Sequence, residues 1–118
     1  MSPSNIKRIN TILYCQKWDD TVTFYRDVLQ FDVNHETEWL VEFQLMDNTF
    51  LSIANVAFTS IQSAKGAGIT LSIQVENVDI AHRRLHEIGV ETSPIKAVWG
   101  ARAFYIFDPE GHRIEFWS

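Results

Sequence analysis

Hydrophobic and polar residues alternate along several short stretches of the chain, which is the pattern of half-buried β-strands. Residues 9–15 place an apolar set on one side and a polar and aromatic set on the other, and residues 69–75 repeat this alternation. Other strand-like stretches follow each of these two. The complete set of predicted strands is 9–15, 31–36, 39–46, 50–55, 69–75, 90–98, 101–107 and 112–117.

A helix is predicted after the first strand of each half. The first spans about residues 19–29, where Asp19 and Asp20 offer N-cap oxygens and an apolar stripe follows. The second begins at Asp79, its predicted N-cap, and ends at Gly89, which readily adopts the left-handed backbone of a helix stop. Both helices are therefore expected to pack one apolar face on a sheet.

The order of strand, helix and three strands occurs twice along the chain. Asp19 and Asp79, where the two helices are predicted to begin, are separated by nearly the same interval as the turn residues Asp47 and Asp108. We therefore predict an α+β fold in which one domain, residues 1–118, contains two tandem βαβββ modules at about 1–60 and 61–118. The small, glycine-containing stretch 60–68 is the predicted linker. The alternative is two α+β halves that merely look alike.

Composition and charge narrow the classes of partner. The chain has 118 residues, of which 46% are hydrophobic and 21% charged, as in ordinary globular domains. Its net charge of −5, without any basic block, argues against nucleic acid. No run approaches the roughly 20 apolar residues that cross a bilayer, so no membrane partner is expected. The single cysteine, Cys15, cannot form an internal disulfide, which fits a reducing compartment, and we expect a cytoplasmic protein.

Four segments carry a family resemblance. They are 24–31 (FYRDVLQF), 84–90 (RLHEIGV), 99–102 (WGAR) and 107–116 (FDPEGHRIEF). In order and spacing they resemble the vicinal oxygen chelate superfamily, which includes glyoxalases, extradiol dioxygenases, fosfomycin-modifying enzymes and bleomycin-resistance proteins. Gln30 stands where that family usually has glycine. The resemblance covers nearly the whole chain. It implies cupped half-barrel mixed sheets with helices on the outer face, and a cavity lined by alternate strand residues.

The resemblance also implies where a metal would bind. Metal-dependent members have ligands on the first and last strand of each module, and the matching positions here are Asn10, Ser52, Thr70 and Glu115. One carboxylate with three neutral amide or hydroxyl groups makes a poor site for Zn, Ni, Fe or Mn, which prefer imidazole, thiolate and several carboxylates. We therefore expect no metal and no other cofactor.

The histidines and the cysteine do not supply a second site. His82 and His86 share one face of the second helix, but an HxxxH pair without a third ligand is a weak metal motif, and a solvated surface pair is the simpler interpretation. His35 and His112 suggest no ligand cluster. Cys15 belongs to the helix-packing side of its strand, which favours burial over reactivity.

Strand alternation, combined with the resemblance, predicts a cavity wall. The interval that separates Asp47 from Asp108 maps Glu42 to Ala103. Aromatic side chains on this wall are expected to stack on a flat ligand, and Glu42 or Glu115 to meet a cation, although some of these rings belong to ordinary packing instead. The predicted ligand-binding residues are Asn10, Tyr14, Glu42, Phe50, Ser52, Thr70, Ser72, Trp99, Tyr105, Arg113, Glu115 and Trp117.

Three functions fit these features. The first is a metal-free small-molecule-binding protein resembling bleomycin-resistance proteins, which sequesters an aromatic or cationic ligand in an aromatic-lined cavity; the resemblance implies a homodimer. The second is a glyoxalase- or dioxygenase-like enzyme with a non-standard active site, in which Glu115 is the candidate catalytic residue, or Glu42, with a pKa raised by burial. The third is an interaction module whose cavity is vestigial.

Overall fold

The computed structural model describes residues 4–118, and the chain divides between Ala64 and Lys65 into two compact units. Each unit contains one four-stranded mixed sheet and one main helix in the order βαβββ. The predicted α+β fold with two repeated modules is therefore confirmed. The division falls inside the stretch 60–68 that the sequence suggests as a linker.

The first unit builds its sheet in the order β1-β4-β3-β2, with β1 parallel to β4 and the other neighbours antiparallel. The helix α1 continues directly into a π-helical turn, so the predicted helix is present but changes its hydrogen-bonding pattern halfway. The elements are β1 (Ile9–Cys15), α1 (Trp18–Thr23), the π-helical turn (Phe24–Val28), β2 (Asp32–Glu36), β3 (Leu40–Met46), β4 (Thr49–Asn55) and a 3₁₀ turn (Val56–Phe58).

The second unit repeats the topology in the order β5-β8-β7-β6, with β5 parallel to β8. Its elements are β5 (Thr70–Gln74), α2 (Val78–Glu87), β6 (Lys96–Val98), β7 (Ala101–Phe107) and β8 (Arg113–Trp117). The predicted strand 90–98 is wrong over its first part. The Ser93 backbone N–H donates to the Tyr105 carbonyl oxygen, and the Ser93 hydroxyl oxygen accepts from the Tyr105 backbone N–H. Pro94, which has no N–H, cannot continue a regular ladder.

Alternation along the central strands separates a buried face from an open face in each unit. In the first, Phe43 and Ile53 are fully buried, and the Tyr25 ring of the π-helical turn lies 6.1 Å from the Phe43 ring. In the second, Phe104 and Ile106 are buried, and the His82 ring of α2 packs edge-on against Phe104 at 4.9 Å. The faces away from the helices carry the predicted ligand-binding residues of β3, β4, β7 and β8.

Cys15 on β1 is fully buried, as its place on the helix-packing side predicts. Within residues 4–118, no helix is long and apolar enough to span a bilayer.

The N-terminus of each helix differs from its prediction. Lys17, not Asp19 or Asp20, is the N-cap of α1, and its side chain makes no capping hydrogen bond. The two aspartates lie in the first turn instead, where their negative charges still favour the positive end of the helix dipole. The prediction fails because an acidic residue is favourable both at the cap and just after it.

Asn77, not Asp79, caps α2. The Asn77 side chain accepts hydrogen bonds from the backbone N–H groups of Asp79 at 3.0 Å and Ile80 at 3.1 Å. Asp79 forms an ion pair with Arg102 instead. Asparagine and aspartate are equally good N-cap residues. Asn77 is the cap because it is the residue with extended backbone immediately before the helix begins.

The residues that end the helices adopt left-handed backbone. Gly89 has φ = +90°, which confirms it as the stop of α2. Gln30, after the π-helical turn, has φ = +59°. A left-handed conformation costs a residue with a Cβ atom roughly 1 kcal/mol, which gives a physical reason for the glycine usual at this position.

Candidate functional site

The open faces of the two sheets correspond through their strand register. In the first unit Ser52 lies beside Ile12 and opposite Glu42; in the second, Glu115 lies beside Ser72 and opposite Tyr105. Glu42 therefore corresponds to Tyr105, and the predicted match to Ala103 is wrong. The prediction fails because the turn residues Asp47 and Asp108, on which it rests, are not equivalent: the ladders pair Gln44 with Phe50 and Phe107 with Arg113, so equivalent positions of β3 and β7 lie further apart than those two aspartates.

Three of the four positions that the resemblance assigns to metal ligands are engaged in short hydrogen bonds within their own units. Ser52 is fully buried and donates its hydroxyl to Asn10 Oδ1 at 2.8 Å. Glu115 Oε1 accepts a hydrogen bond from the Ser72 hydroxyl at 2.9 Å, and the fourth position, Thr70, is exposed on β5. Amide and hydroxyl oxygens with one carboxylate do not fit a transition metal. Across residues 4–118, no group of three or more His, Cys, Asp or Glu side chains is placed to hold a metal ion.

Glu42 is a buried carboxylate on the open face of the first sheet, with 8% of its surface exposed. Asn34 Nδ2 donates to Glu42 Oε1 at 2.8 Å, and the Arg8 guanidinium pairs with the same oxygen at 3.0 Å. The hydrogen bond from Asn34 and the Arg8 partner lower the pKa of Glu42, although burial opposes them. The predicted raised pKa at Glu42 is therefore wrong, and the cation that this carboxylate meets belongs to the chain itself.

The Arg8 guanidinium also lies over the ring of Phe50, with its carbon 3.8 Å from the ring centroid. Sequence reasoning missed Arg8 because it precedes the predicted first strand. Extending the alternation backwards by one step from Asn10 would have placed Arg8 on the same face. Tyr14, the next residue of this face after Ile12 on β1, is half-buried.

The open face of the second sheet presents aromatic side chains to solvent. The rings of Tyr105 and Phe107 meet edge to face at 5.6 Å, with 38% and 54% of each residue exposed. The Arg113 guanidinium lies 4.4 Å from the Tyr105 centroid, and Trp117 is half-buried near the end of β8. Phe107 was not among the predicted ligand-binding residues, although it has the same strand parity as Tyr105.

Trp99 lies apart from these groups, in the turn between β6 and β7. It is fully exposed and has φ = +52°, and Gly100 after it has φ = +79°. The structure therefore brings together Asn10 with Ser52, Ser72 with Glu115, and Tyr105 with Arg113, but it leaves Trp99 on its own.

Three of the four histidines make contacts within their own units. His82 is half-buried rather than solvated: besides packing on Phe104, its Nε2 lies 3.0 Å from the Ser93 carbonyl oxygen, and the His86 ring stacks beside it. His112 is buried with its Nδ1 2.8 Å from Asp108 Oδ2. His35 is exposed on β2.

The fold and the strand register define a two-module protein of a known class. The family model described as Glyoxalase/Bleomycin resistance protein/Dioxygenase superfamily matches residues 6–116. The chain belongs to this superfamily, and the resemblance noted in its sequence is confirmed. No curated protein matches the chain significantly.

Solved structures share the architecture over nearly the whole chain. A lactoylglutathione lyase from Agrobacterium tumefaciens has a TM-score of 0.79 at 22% identity, covering 98% of this chain and 94% of that one. TnmS3, an antibiotic-binding protein from Streptomyces sp. CB03234, has a TM-score of 0.77 at 20% identity, covering 98% and 96%. A protein of unknown function from Agrobacterium tumefaciens str. C58 has a TM-score of 0.75 at 26% identity, covering 97% and 94%. At these identities the two named proteins share the fold.

Proposed function

We propose that this chain is a metal-free small-molecule-binding protein that sequesters a flat aromatic ligand, including cationic ones, without transforming it. The observation that carries the proposal is the exposed pair of rings at Tyr105 and Phe107 on the open face of the second sheet. Most large apolar side chains on the opposite face of that sheet are buried against α2. Partly exposed rings in a fixed arrangement are suited to contacts with an aromatic ligand.

The same face offers a polar handle of each sign beside the rings. Arg113 stacks on Tyr105, and Glu115 lies directly opposite Tyr105 across the ladder, hydrogen-bonded by Ser72. A ligand that lies on the rings therefore has a carboxylate within reach for a cationic group and a guanidinium for an anionic one. A few polar groups set among aromatic surface are typical of small-molecule sites.

The donor chemistry of the implied ligand positions supports the metal-free part of the proposal. Neutral oxygens at Asn10, Ser52 and Thr70 supply no charge to compensate a divalent transition metal. The antibiotic-binding protein TnmS3, which shares the fold, is a precedent for binding by this architecture. We extend the proposal to a role in antibiotic resistance and to a homodimer in solution. We also propose that the protein is cytoplasmic, since its one cysteine is buried rather than held in a disulfide.

Fluorescence titration with proflavine, a flat aromatic cation, tests the site. We expect saturable binding that weakens about threefold to tenfold in Tyr105→Ala and in Phe107→Ala, because a ring contact contributes about 0.5–1.5 kcal/mol. Glu115→Gln should weaken proflavine more than naphthalene-2-sulfonate, a flat aromatic anion. Phe58→Ala is the matched control, since Phe58 is as exposed as Phe107 but lies in the 3₁₀ turn of the first unit.

Two results contradict the proposal. The first is proflavine binding that does not saturate, or binding that is weakened as much by Phe58→Ala as by Phe107→Ala. The other is stoichiometric transition metal in the purified protein by elemental analysis, lost together with a glyoxalase- or dioxygenase-type turnover on chelation, which would favour the enzyme instead.

A further inference from the structure

The chain's own Arg8 guanidinium occupies a site on the open face of the first sheet, where it contacts a carboxylate and a ring. The site has three parts: a buried carboxylate, Glu42; an amide, Asn34, that donates to it; and a ring, Phe50, that lies under the guanidinium. A guanidinium binds best to a carboxylate that lies in its own plane and to the face of an aromatic ring beneath that plane.

The carboxylate of this site is buried, whereas the side chain of its arginine partner is about half exposed. Glu42 is buried with Arg8 in place, and a buried carboxylate is costly without a partner, so this face favours a cation beside it. Arg8 comes from the exposed stretch of residues 4–8 that precedes β1, and 47% of its side chain is exposed. A rotation of the Arg8 side chain alone would clear the site without disturbing the sheet.

We propose that Glu42, Asn34 and Phe50 form a binding site for the guanidinium or amidinium group of a small-molecule ligand, and that Arg8 is a displaceable internal occupant of that site. This inference rests on the proposed function, because it names the class of ligand that one open face takes. Both contacts described for Glu42 fall on Oε1. An untethered guanidinium is free to adopt the bidentate geometry that uses both carboxylate oxygens.

Competition with Arg8 sets the size of the expected effect. A ligand that must displace an internal occupant binds with an affinity reduced by the fraction of time the site is open. From the usual strengths of an ion pair and a cation–π contact at a half-exposed side chain, we take the site to be closed about nine-tenths of the time. Removing Arg8 should therefore tighten the binding of a small guanidinium about tenfold.

The experiment is an NMR titration with methylguanidinium that follows the side-chain amide of Asn34, which contacts Glu42 directly. We expect saturable shifts in Arg8→Ala and in Arg8→Gln, with a dissociation constant about tenfold lower than in the wild type. N-methylurea, which has a similar shape but no charge, should produce no saturable shift. Adding Glu42→Gln to Arg8→Ala should abolish the response.

Arg26→Ala is the matched protein control. Arg26 pairs with Asp27 at 3.0 Å, as Arg8 pairs with Glu42, but both partners are exposed. No ring is described over its guanidinium in residues 4–118. Methylguanidinium should therefore bind Arg26→Ala no more tightly than the wild type. Equal tightening in Arg26→Ala and Arg8→Ala would mean a nonspecific charge effect and would overturn the proposal.

Other outcomes separate this site from the proposed function. If both Arg8 variants keep the wild-type fold by circular dichroism but bind methylguanidinium no more tightly than the wild type, the guanidinium site is refuted. Proflavine binding that is sensitive to Tyr105→Ala would then still support the proposed function. Guanidinium binding in Arg8→Ala without any proflavine binding would support this site and contradict the aromatic one.

Discussion

Asp108 is a residue whose removal should strongly destabilise the second module, because its carboxylate accepts several hydrogen bonds within the β7–β8 turn. Asp108 Oδ1 accepts hydrogen bonds from three successive backbone N–H groups, those of Glu110, Gly111 and His112, at 2.9–3.0 Å. Its Oδ2 lies 2.8 Å from Nδ1 of the buried His112 ring. We predict that Asp108→Ala strongly destabilises the protein.

The magnitude follows from the donors that lose their acceptor. The N–H groups of Glu110 and His112 are buried, and a buried donor without an acceptor costs about 1–3 kcal/mol. The Gly111 N–H keeps a second contact to the Asp108 carbonyl oxygen. The His112 ring also loses its partner, so the expected loss is about 4 kcal/mol. Asp108→Asn keeps the accepting Oδ1 and should cost about 1 kcal/mol.

Urea denaturation followed by circular dichroism measures these differences. Asp47→Ala is the matched control, because Asp47 occupies the corresponding β3–β4 turn but is exposed and makes no side-chain hydrogen bond described in residues 4–118. That variant should stay within about 0.5 kcal/mol of the wild type. The reasoning is refuted if Asp108→Ala costs less than about 1 kcal/mol, or if Asp108→Asn is as damaging as Asp108→Ala.

Three further predictions concern Glu42 and the helix ends. Because the folded-state pKa of Glu42 is lowered below its ordinary 4.5, its contribution to stability is present above that value and lost as pH falls through the folded pKa; the stability advantage of the wild type over Glu42→Gln in urea titrations should therefore shrink as the pH is lowered below 4.5. Asn77→Ala, measured by thermal unfolding, should cost about 1 kcal/mol through loss of the α2 cap, and an unchanged midpoint would rule the cap out. Gly89→Ala should cost about 1 kcal/mol of unfolding free energy, whereas Gln30→Gly should not destabilise, because both positions are left-handed; equal losses in the two variants would contradict this.

Local pattern predicted the sheets well because burial decides them. Alternation in β7 and β8 reflects a sheet with one buried face, and a shift of one residue would turn Phe104 and Ile114 to solvent. The helix starts were less predictable, since Asn77 and Asp79 are equally good caps and only the backbone path separates them. The prediction of a strand over 90–98 is wrong in its first part because the Ser93 hydroxyl, not a backbone carbonyl, accepts the hydrogen bond from the Tyr105 N–H, and hydrophobic alternation cannot predict this.

The sequence predicted which residues share a face of the candidate site better than it predicted which of them are in contact. Parity placed Arg113 and Glu115 on one face and the interval between the modules added Tyr105, and the register sets Tyr105 opposite Glu115. Which charges pair is a three-dimensional property: alternation can place Arg8 and Glu42 on the same face, but it does not show that a residue before β1 pairs with a carboxylate on β3. The pKa of Glu42 was assigned the wrong direction for the same reason, because burial was foreseen and the partner was not.

The two modules keep one backbone frame while their open faces have diverged in chemistry. Each face stacks an arginine on a ring, Arg8 on Phe50 and Arg113 on Tyr105, but from positions that do not correspond. Phe50 and Arg113 are themselves equivalent in register, so the ring of one module stands where the cation of the other stands. Among the described residues, only the first module backs its cation with a buried carboxylate. Displacing the arginine therefore uncovers a ring on either face, but only on the first face does it also leave a buried carboxylate without its cation. A guanidinium and a flat aromatic ring should accordingly prefer different modules.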